Sequence, residues 1–314
     1  MIIVDFDKSH VESALQIAKA NYYEERGAVS CLPEIEVVPD LEYFAGNGLG
    51  VAALEEGRLI GFLCCYEPWD NAFGSMAKGT FSPIHAHGAI KENRQMIYKR
   101  MYQYAAEKWV KYKITYHGIA HYAHDAESLD AFFSYGFGLR CMDAIRPMSE
   151  IDCKSCEGIS FDELTRENVS QIRELRKLQS EHMGYSPCFM YSTEQEFRAW
   201  LERAEIRDSR VFVAKEREKI VAFVEVTSTG ENFITEEETM RNICGAYCLP
   251  EYRGRDIYPN LLNYAIDKLA GEGYKLLGVD FESFNPTAYG FWLKHFTAYT
   301  KSVVRRIDEC ALRA

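Results

Sequence analysis

Two similar halves, each of mixed α/β type, are what this sequence predicts, on three grounds. Its 314 residues, 47% hydrophobic and 26% charged, have a soluble globular composition but exceed what one ordinary domain occupies. The stretch SEIDCKSCEG, residues 149–158, breaks the apolar patterning and separates two segments with the same order of elements. Landmarks in the two segments also share one offset. Ile97-Tyr98 and Ile257-Tyr258, each at the opening of a long helix, stand 160 residues apart, as do Asp125 and Asn285. One offset from two anchors indicates an internal duplication, with domains expected over 1–148 and 158–314.

In the first half MIIVDF is strand-like and KSHVESALQIAKANYYEE has helical periodicity. GLGVAALEE and RLIGFLCCYEPW run apolar around the turn EEGR and read as a hairpin. RQMIYKRMYQYAAEKWVKYK is a long helix, ITYHGIAHYA a strand, AESLDAFFSYGF a helix and GLRCMDAIRPM a closing strand. The second half repeats the order. ISFDEL is a strand, ENVSQIRELRKLQSEHM and EQEFRAWLERA are helices, and SRVFVAKE and KIVAFVEVTSTG form a hairpin about EREK. MRNICGAYCL, KLLGVDFES and AYTKSVVRRID are strands, interleaved with helices over DIYPNLLNYAIDKLAGEG and NPTAYGFWLKH.

The net charge of −11 argues against a general nucleic-acid binder. No apolar run approaches the roughly 20 residues that span a bilayer, and MIIVDFDKSHVE lacks the form of a secretory leader. A cytoplasmic protein with reduced cysteines is therefore expected. Cys153 and Cys156 form one C-x-x-C in a polar connector, without the second pair a zinc ribbon requires. His85 and His87, if on one strand, would face the same way, but no third ligand is identifiable, so no metal is expected.

PEYRGRDIYPNLL, from residue 250, places a turn between a strand and a helix. The first turn of a helix leaves N–H groups without partners and carries partial positive charge, so it receives anions. Arg253 and Arg255 add charge beside Gly254, and Pro259 is tolerated in a first turn. Here the chain resembles the GNAT superfamily of N-acetyltransferases, whose loop reads Q/R-x-x-G-x-G/A. The matching frame is Arg253-Gly254-Arg255-Asp256-Ile257-Tyr258. Asn285-Pro286-Thr287-Ala288 resembles the family's N-x-x-A, and HDAESLDAFFSYGFG in the first half resembles the last helix with its G-F ending.

The resemblance implies two GNAT-like domains, each a mixed, mostly antiparallel twisted sheet flanked by helices. It further implies a tandem protein whose N-terminal copy is degenerate, since its loop position, Asn93 to Tyr98, has no glycine. The implied activity is transfer of an acetyl group from acetyl-CoA to a primary amine by direct attack, in the C-terminal domain. Tyr247, Cys248 and Leu249 are the implied strand end, Arg253 to Tyr258 the pyrophosphate loop, and Asn285 a further contact. Implied partners are a small-molecule or peptide amine, no nucleic acid and no membrane, in a monomer or homodimer.

Both small positions of the signature are lost, to Asp256 and Tyr258. Asp256 either opposes the anion or caps the helix; Tyr258 either blocks the groove or points away. The family's acidic tyrosine falls on Trp292, which leaves Tyr289, one turn earlier, as the candidate proton donor. Asp280 and Glu282 share a strand face and are the candidate bases, with Glu225 similarly placed on the hairpin. The alternative is a non-catalytic acyl-CoA-binding or scaffold protein built from two decayed copies.

Overall fold

The computed structural model describes residues 1–313, which divide into two compact units, one of Met1–Met142 with the segment from Ala298 on, the other of Asp143–Thr297. The first unit runs β1 (Ile2–Asp5), α1 (Val11–Ala28), α2 (Glu42–Gly46), β2 (Val51–Glu55), β3 (Arg58–Leu63), β4 (Gly79–Ser82), β5 (His87–Ala89), α3 (Arg94–Lys111), β6 (Tyr116–Tyr122), α4 (Ala126–Phe133) and β7 (Gly138–Pro147). The second runs β8 (Ile159–Leu164), α5 (Arg173–Gly184), α6 (Glu194–Ile206), β9 (Ser209–Glu216), β10 (Lys219–Thr227), β11 (Met240–Cys248), α7 (Ile257–Gly271), β12 (Leu276–Glu282) and α8 (Pro286–His295). A two-residue β13 (Thr297–Ala298) and β14 (Thr300–Arg306) follow.

The expected α/β architecture is present. β1, β2, β3 and β5 form an antiparallel sheet, with the β2–β3 turn carried by Glu56 (φ 51°) and Gly57 (φ 78°). Positive φ at both central positions matches the twist of a tight hairpin. α3 buries Ile97, Tyr98, Met101, Tyr102, Ala105 and Trp109, the helical spacing of a single apolar face, and the Trp109 indole donates to Leu49 O at 3.0 Å. In the second unit β8, β9, β10 and β11 are antiparallel neighbours, and β12 pairs with β11 in parallel. α7 buries Leu261, Leu262, Ala265, Ile266 and Leu269. α6 opens on a capping box between Thr193 and Glu196.

Three sequence expectations change. The last strand was expected to close the second domain, but β14 lies in the first unit, antiparallel to β6, with Val303 in that unit's core. Conversely, residues Asp143–Pro147 of β7 belong to the second unit. A strand is assigned by the apolar face it completes, which its own periodicity does not name. The offset also differs between landmarks. Asp125 and Asn285 do cap equivalent helices, but α3 and α7 start at Arg94 and Ile257, 163 residues apart, so Ile97 and Tyr98 lie in the body of α3 and not in a loop. Finally, His85 precedes β5, so it and His87 do not share a strand face. Among the described residues no cluster of three His, Cys, Asp or Glu side chains could hold a metal ion.

Buried histidines distinguish the first unit. His87 donates from Nε2 to Ala120 O at 2.5 Å and accepts at Nδ1 from the Tyr98 hydroxyl at 2.9 Å. His117 contacts the Tyr102 hydroxyl at 2.9 Å, and His121, with neither nitrogen hydrogen-bonded, packs 4.7 Å from the Phe132 ring. Burial pushes His87 and His117 down to about 4 and His121 well below its ordinary value. These rings stay neutral when folded, whereas the unfolded chain takes protons below about pH 6.5. Stability held above that pH is therefore lost as pH falls toward 4. His121→Leu should remove about 2 kcal/mol of the stability difference between pH 7.5 and pH 5. Urea midpoints at the two pH values check this; an unchanged difference would mean that His121 titrates normally.

Candidate active site

β11 holds the geometry of the second unit's cleft. Its parallel pairing with β12 covers Met240–Ile243 only, against Leu276–Val279, although β12 continues to Glu282. On the other side β11 stays paired to β10 as far as Cys248, but the register shifts so that Glu225 faces Gly245 while Val226 faces Ile243. Cys244 is thus an extra residue, a bulge that bends a strand and raises its local twist. Beyond it, the edge of β11 toward β12 has no strand partner among the described residues. A parted strand edge of this kind accepts an extended chain.

Arg176, from α5, and Glu225 lie beneath the bulge. The two are buried and paired at 2.8 Å, Ser209 Oγ donates to Glu225 at 2.7 Å, and a Cβ on Gly245 would come within 3.1 Å of the same carboxylate. Glu225 is therefore engaged in holding the strand. Losing one partner of a buried pair strands the other charge, at a cost of about 3–5 kcal/mol. Arg176→Met should lower stability by about that amount, and adding Glu225→Leu should restore most of it. Chemical denaturation of the three variants checks this, and a double variant no more stable than Arg176→Met would contradict it.

After β11 the chain makes a short turn and enters α7. The Arg253 Nε donates to Cys248 O at 2.9 Å, with its guanidinium 5.4 Å from the centre of the Tyr247 ring, so it ties the loop to the strand end. Gly254 (φ 72°) and the N-cap Asp256 (φ 55°) both take the left-handed conformation. The first hydrogen bond into the helix is Asn260 N–H to Asp256 O. Among the described residues nothing accepts from the N–H groups of residues 254–258. Five consecutive amides at a helix head, in a turn of alternating handedness, form an anion-binding concavity.

The cavity beside them has a volume of about 530 Å³ and is walled by β11, the loop, α5 and α8. Of the residues expected at the cofactor, Tyr247, Cys248, Arg253, Gly254, Asp256, Ile257, Tyr258 and Asn285 line it. Leu249 and Arg255 do not: Leu249 is buried, and Arg255 lies over the Tyr252 ring. Tyr258 forms wall and not plug, because its hydroxyl donates to Phe223 O at 3.3 Å and its ring packs edge-on against Phe291 and Trp292. The Asp256 carboxylate makes no cap hydrogen bond and sits close enough to the Cys153 and Cys156 thiols to raise them, after the larger effect of their burial. Lys154 O accepts from Asn260 at 2.7 Å, so this connector rests on α7.

The three expected catalytic residues stand apart from the cavity wall. Burial, reinforced by Asp143 and Glu231, pushes Asp280 up to about 8, so at neutral pH its carboxyl is mostly protonated. Glu282 lies beside Cys188, and Tyr289 is exposed, 6.3 Å from the Phe281 ring. Trp292 is buried in the wall and has no proton to give to sulfur. Burial pushes the Cys248 thiol up to about 11, which makes it a poor nucleophile at neutral pH. Sequence reasoning passed over Gln179, His182 and Met183 of α5, all of which line the cavity. Their spacing, one helical face directed at β11, was the available signal.

The model of the acetyltransferase (GNAT) family matches residues 172–296, the stretch from α5 to α8. No curated protein sequence matches the chain. Among solved structures, a GCN5-related N-acetyltransferase from Sphaerobacter thermophilus is 12% identical, covers 97% of this chain and 95% of its own, and aligns with a TM-score of 0.58. A fungal multi-domain GH3 β-N-acetylglucosaminidase with a GCN5-related glucosamine N-acetyltransferase region is 13% identical, covers 96% of this chain and 38% of its own, and gives 0.51. Similarity at such identities shows a shared fold and leaves the substrate open.

Proposed function

We propose that the second unit, whose residues 172–296 match the model of the acetyltransferase (GNAT) family, is an acyltransferase that moves an acetyl group from acetyl-CoA to a primary amine by direct attack. The observation that carries this reading is the run of unpartnered amides over residues 254–258, opening on the cavity whose other wall is the parted strand β11. The amides and Arg253 receive the pyrophosphate, and Lys294, also on the cavity wall, adds positive charge. The pantetheine arm extends along the free edge of β11, which directs the thioester toward the strand's Tyr247–Leu249 end. There the amine nitrogen bonds to the acyl carbon, and the carbon–sulfur bond then breaks to release the thiol. In this reading the protein is cytoplasmic, a monomer or homodimer, and its acceptor is a small-molecule or peptide amine. No helix among the described residues is long and apolar enough to cross a membrane.

Ligand that binds only the folded state stabilises it by about 2.7 kcal/mol at a hundredfold excess over Kd, so acetyl-CoA should raise the melting temperature. Gly254→Asp should abolish the rise. Aspartate tolerates positive φ better than most residues, and a Cβ at this position meets nothing within 4 Å, so the variant folds while its carboxylate faces the anion. Asp256→Gly should fold at least as well and bind at least as tightly, since it removes both a positive-φ side chain and a negative charge. A full shift with Gly254→Asp, or a lost shift with Asp256→Gly, would place the pyrophosphate elsewhere.

A further inference from the structure

His182, in the last turn of α5, lines the cavity and sits 6.5 Å, ring centre to ring centre, from Tyr247 at the end of β11. Its hydrogen bonds determine which nitrogen carries the proton. Asn285 Oδ1 accepts from Thr287 N–H at 3.1 Å and from the Thr287 hydroxyl at 2.8 Å, so it is an acceptor and the hydroxyl proton is committed to it. His182 Nε2 lies 3.3 Å from that same Oδ1 and 3.1 Å from Thr287 Oγ1. Both partners can only accept, so Nε2 is the protonated nitrogen. Nδ1 is left with a bare lone pair and has no partner among the described residues.

This is the arrangement of an oriented base: one nitrogen anchored as donor, the other without a hydrogen-bond partner among the described residues, on a ring that lines the cavity, with an amide oxygen placed to stabilise the imidazolium that forms. Other titratable groups share the wall. Asp256 stands at the helix head proposed for the pyrophosphate, His295 packs 5.0 Å from the Phe291 ring at the end of α8, and burial raises the Tyr247 and Tyr258 phenols. His182 is set apart by its place beside Tyr247 at the strand end, while Cys248 is held as a thiol and Asp280, Glu282 and Tyr289 lie off the cavity. The anchor is itself well placed, because Asn285 caps α8 and follows β12, the strand from which β11 parts.

We propose that His182 is the proton carrier of the acyl transfer, taking the proton from the attacking amine at Nδ1 and delivering it to the departing thiolate. This rests on the function proposed above. The neutral imidazole accepts the proton as the nitrogen–carbon bond forms. The carbon–sulfur bond then breaks with its electron pair going to sulfur, and the imidazolium Nδ1–H protonates that sulfur. The ring ends neutral, so a single residue serves as both base and acid, and no other co-reactant is consumed.

His182→Gln keeps a donor for Asn285 and Thr287 but cannot carry a proton, whereas His182→Ala removes both. Acetyl-CoA binding, by calorimetry, and thiol release over a panel of primary amines separate the outcomes. With both variants binding acetyl-CoA as the parent does, kcat should fall about 100-fold and the acid limb of the pH–kcat profile should disappear. Turnover of His182→Gln within threefold of the parent, with the acid limb retained, would overturn the proposal. So would loss of cofactor binding in His182→Ala restored in His182→Gln, which would make the ring a positioning residue. Failure of the parent itself to bind acetyl-CoA would instead strike the function proposed for the unit.

Discussion

The parting of β11 from β12 after Ile243 is the constraint on which the second unit's chemistry depends. Two parallel strands that stayed paired to their ends would leave neither a free edge nor a cavity between them. One extra residue, Cys244, ends the pairing, and the buried Arg176–Glu225 pair beneath Gly245 holds β11 on its other neighbour while it diverges. A strand separated from a neighbour forfeits backbone hydrogen bonds, and such an edge persists only where the rest of the sheet fixes it. The loop after the strand inherits this direction, and Gly254, Asp256, Ile257 and Tyr258 at the head of α7 line the cavity.

The first unit shows what the same plan becomes when the opening is filled. There the equivalent of the parted strand is broken in two: β4 pairs in parallel with β6, and β5 pairs with β3. The gap between β5 and β6 is bridged by His87, which donates to Ala120 O, while Tyr98, His121 and Phe132 pack around it. The helix head is answered internally as well. Glu127 accepts from Gln95 N–H, and Arg94 is paired with Glu24 and Asp125. Carboxylates of the chain itself thus occupy the place an incoming anion would take. The N-caps of both helices, Asn93 and Asp256, are left-handed.

Much of this was legible in the residues, for identifiable reasons. Hairpin turns, helix faces and the strand–turn–helix at Gly254 are local, set by φ preferences and periodicity within a dozen residues. Most of the expected residues that line the cavity follow from that one turn. The exchange of closing strands was not legible, because Val303 is as apolar as any strand centre and only the core it fills identifies its unit. Nor was the proton chemistry. Asp280 and Glu282 share a strand face as expected, yet that face lies away from the cavity, and Asp280 is depleted of charge by burial. His182 carries no motif at all. Its orientation arises from Asn285 and Thr287, about a hundred residues further along the chain.

A titration of the isotopically labelled protein with coenzyme A, followed by backbone amide resonances, addresses the helix-head amides directly. The largest shifts should fall on the amides of Gly254 to Tyr258, with a second group along Cys244 to Cys248 and little change at the head of α3. Saturable binding that leaves residues 254–258 unmoved would contradict the anion site, and with it the assignment of the cleft.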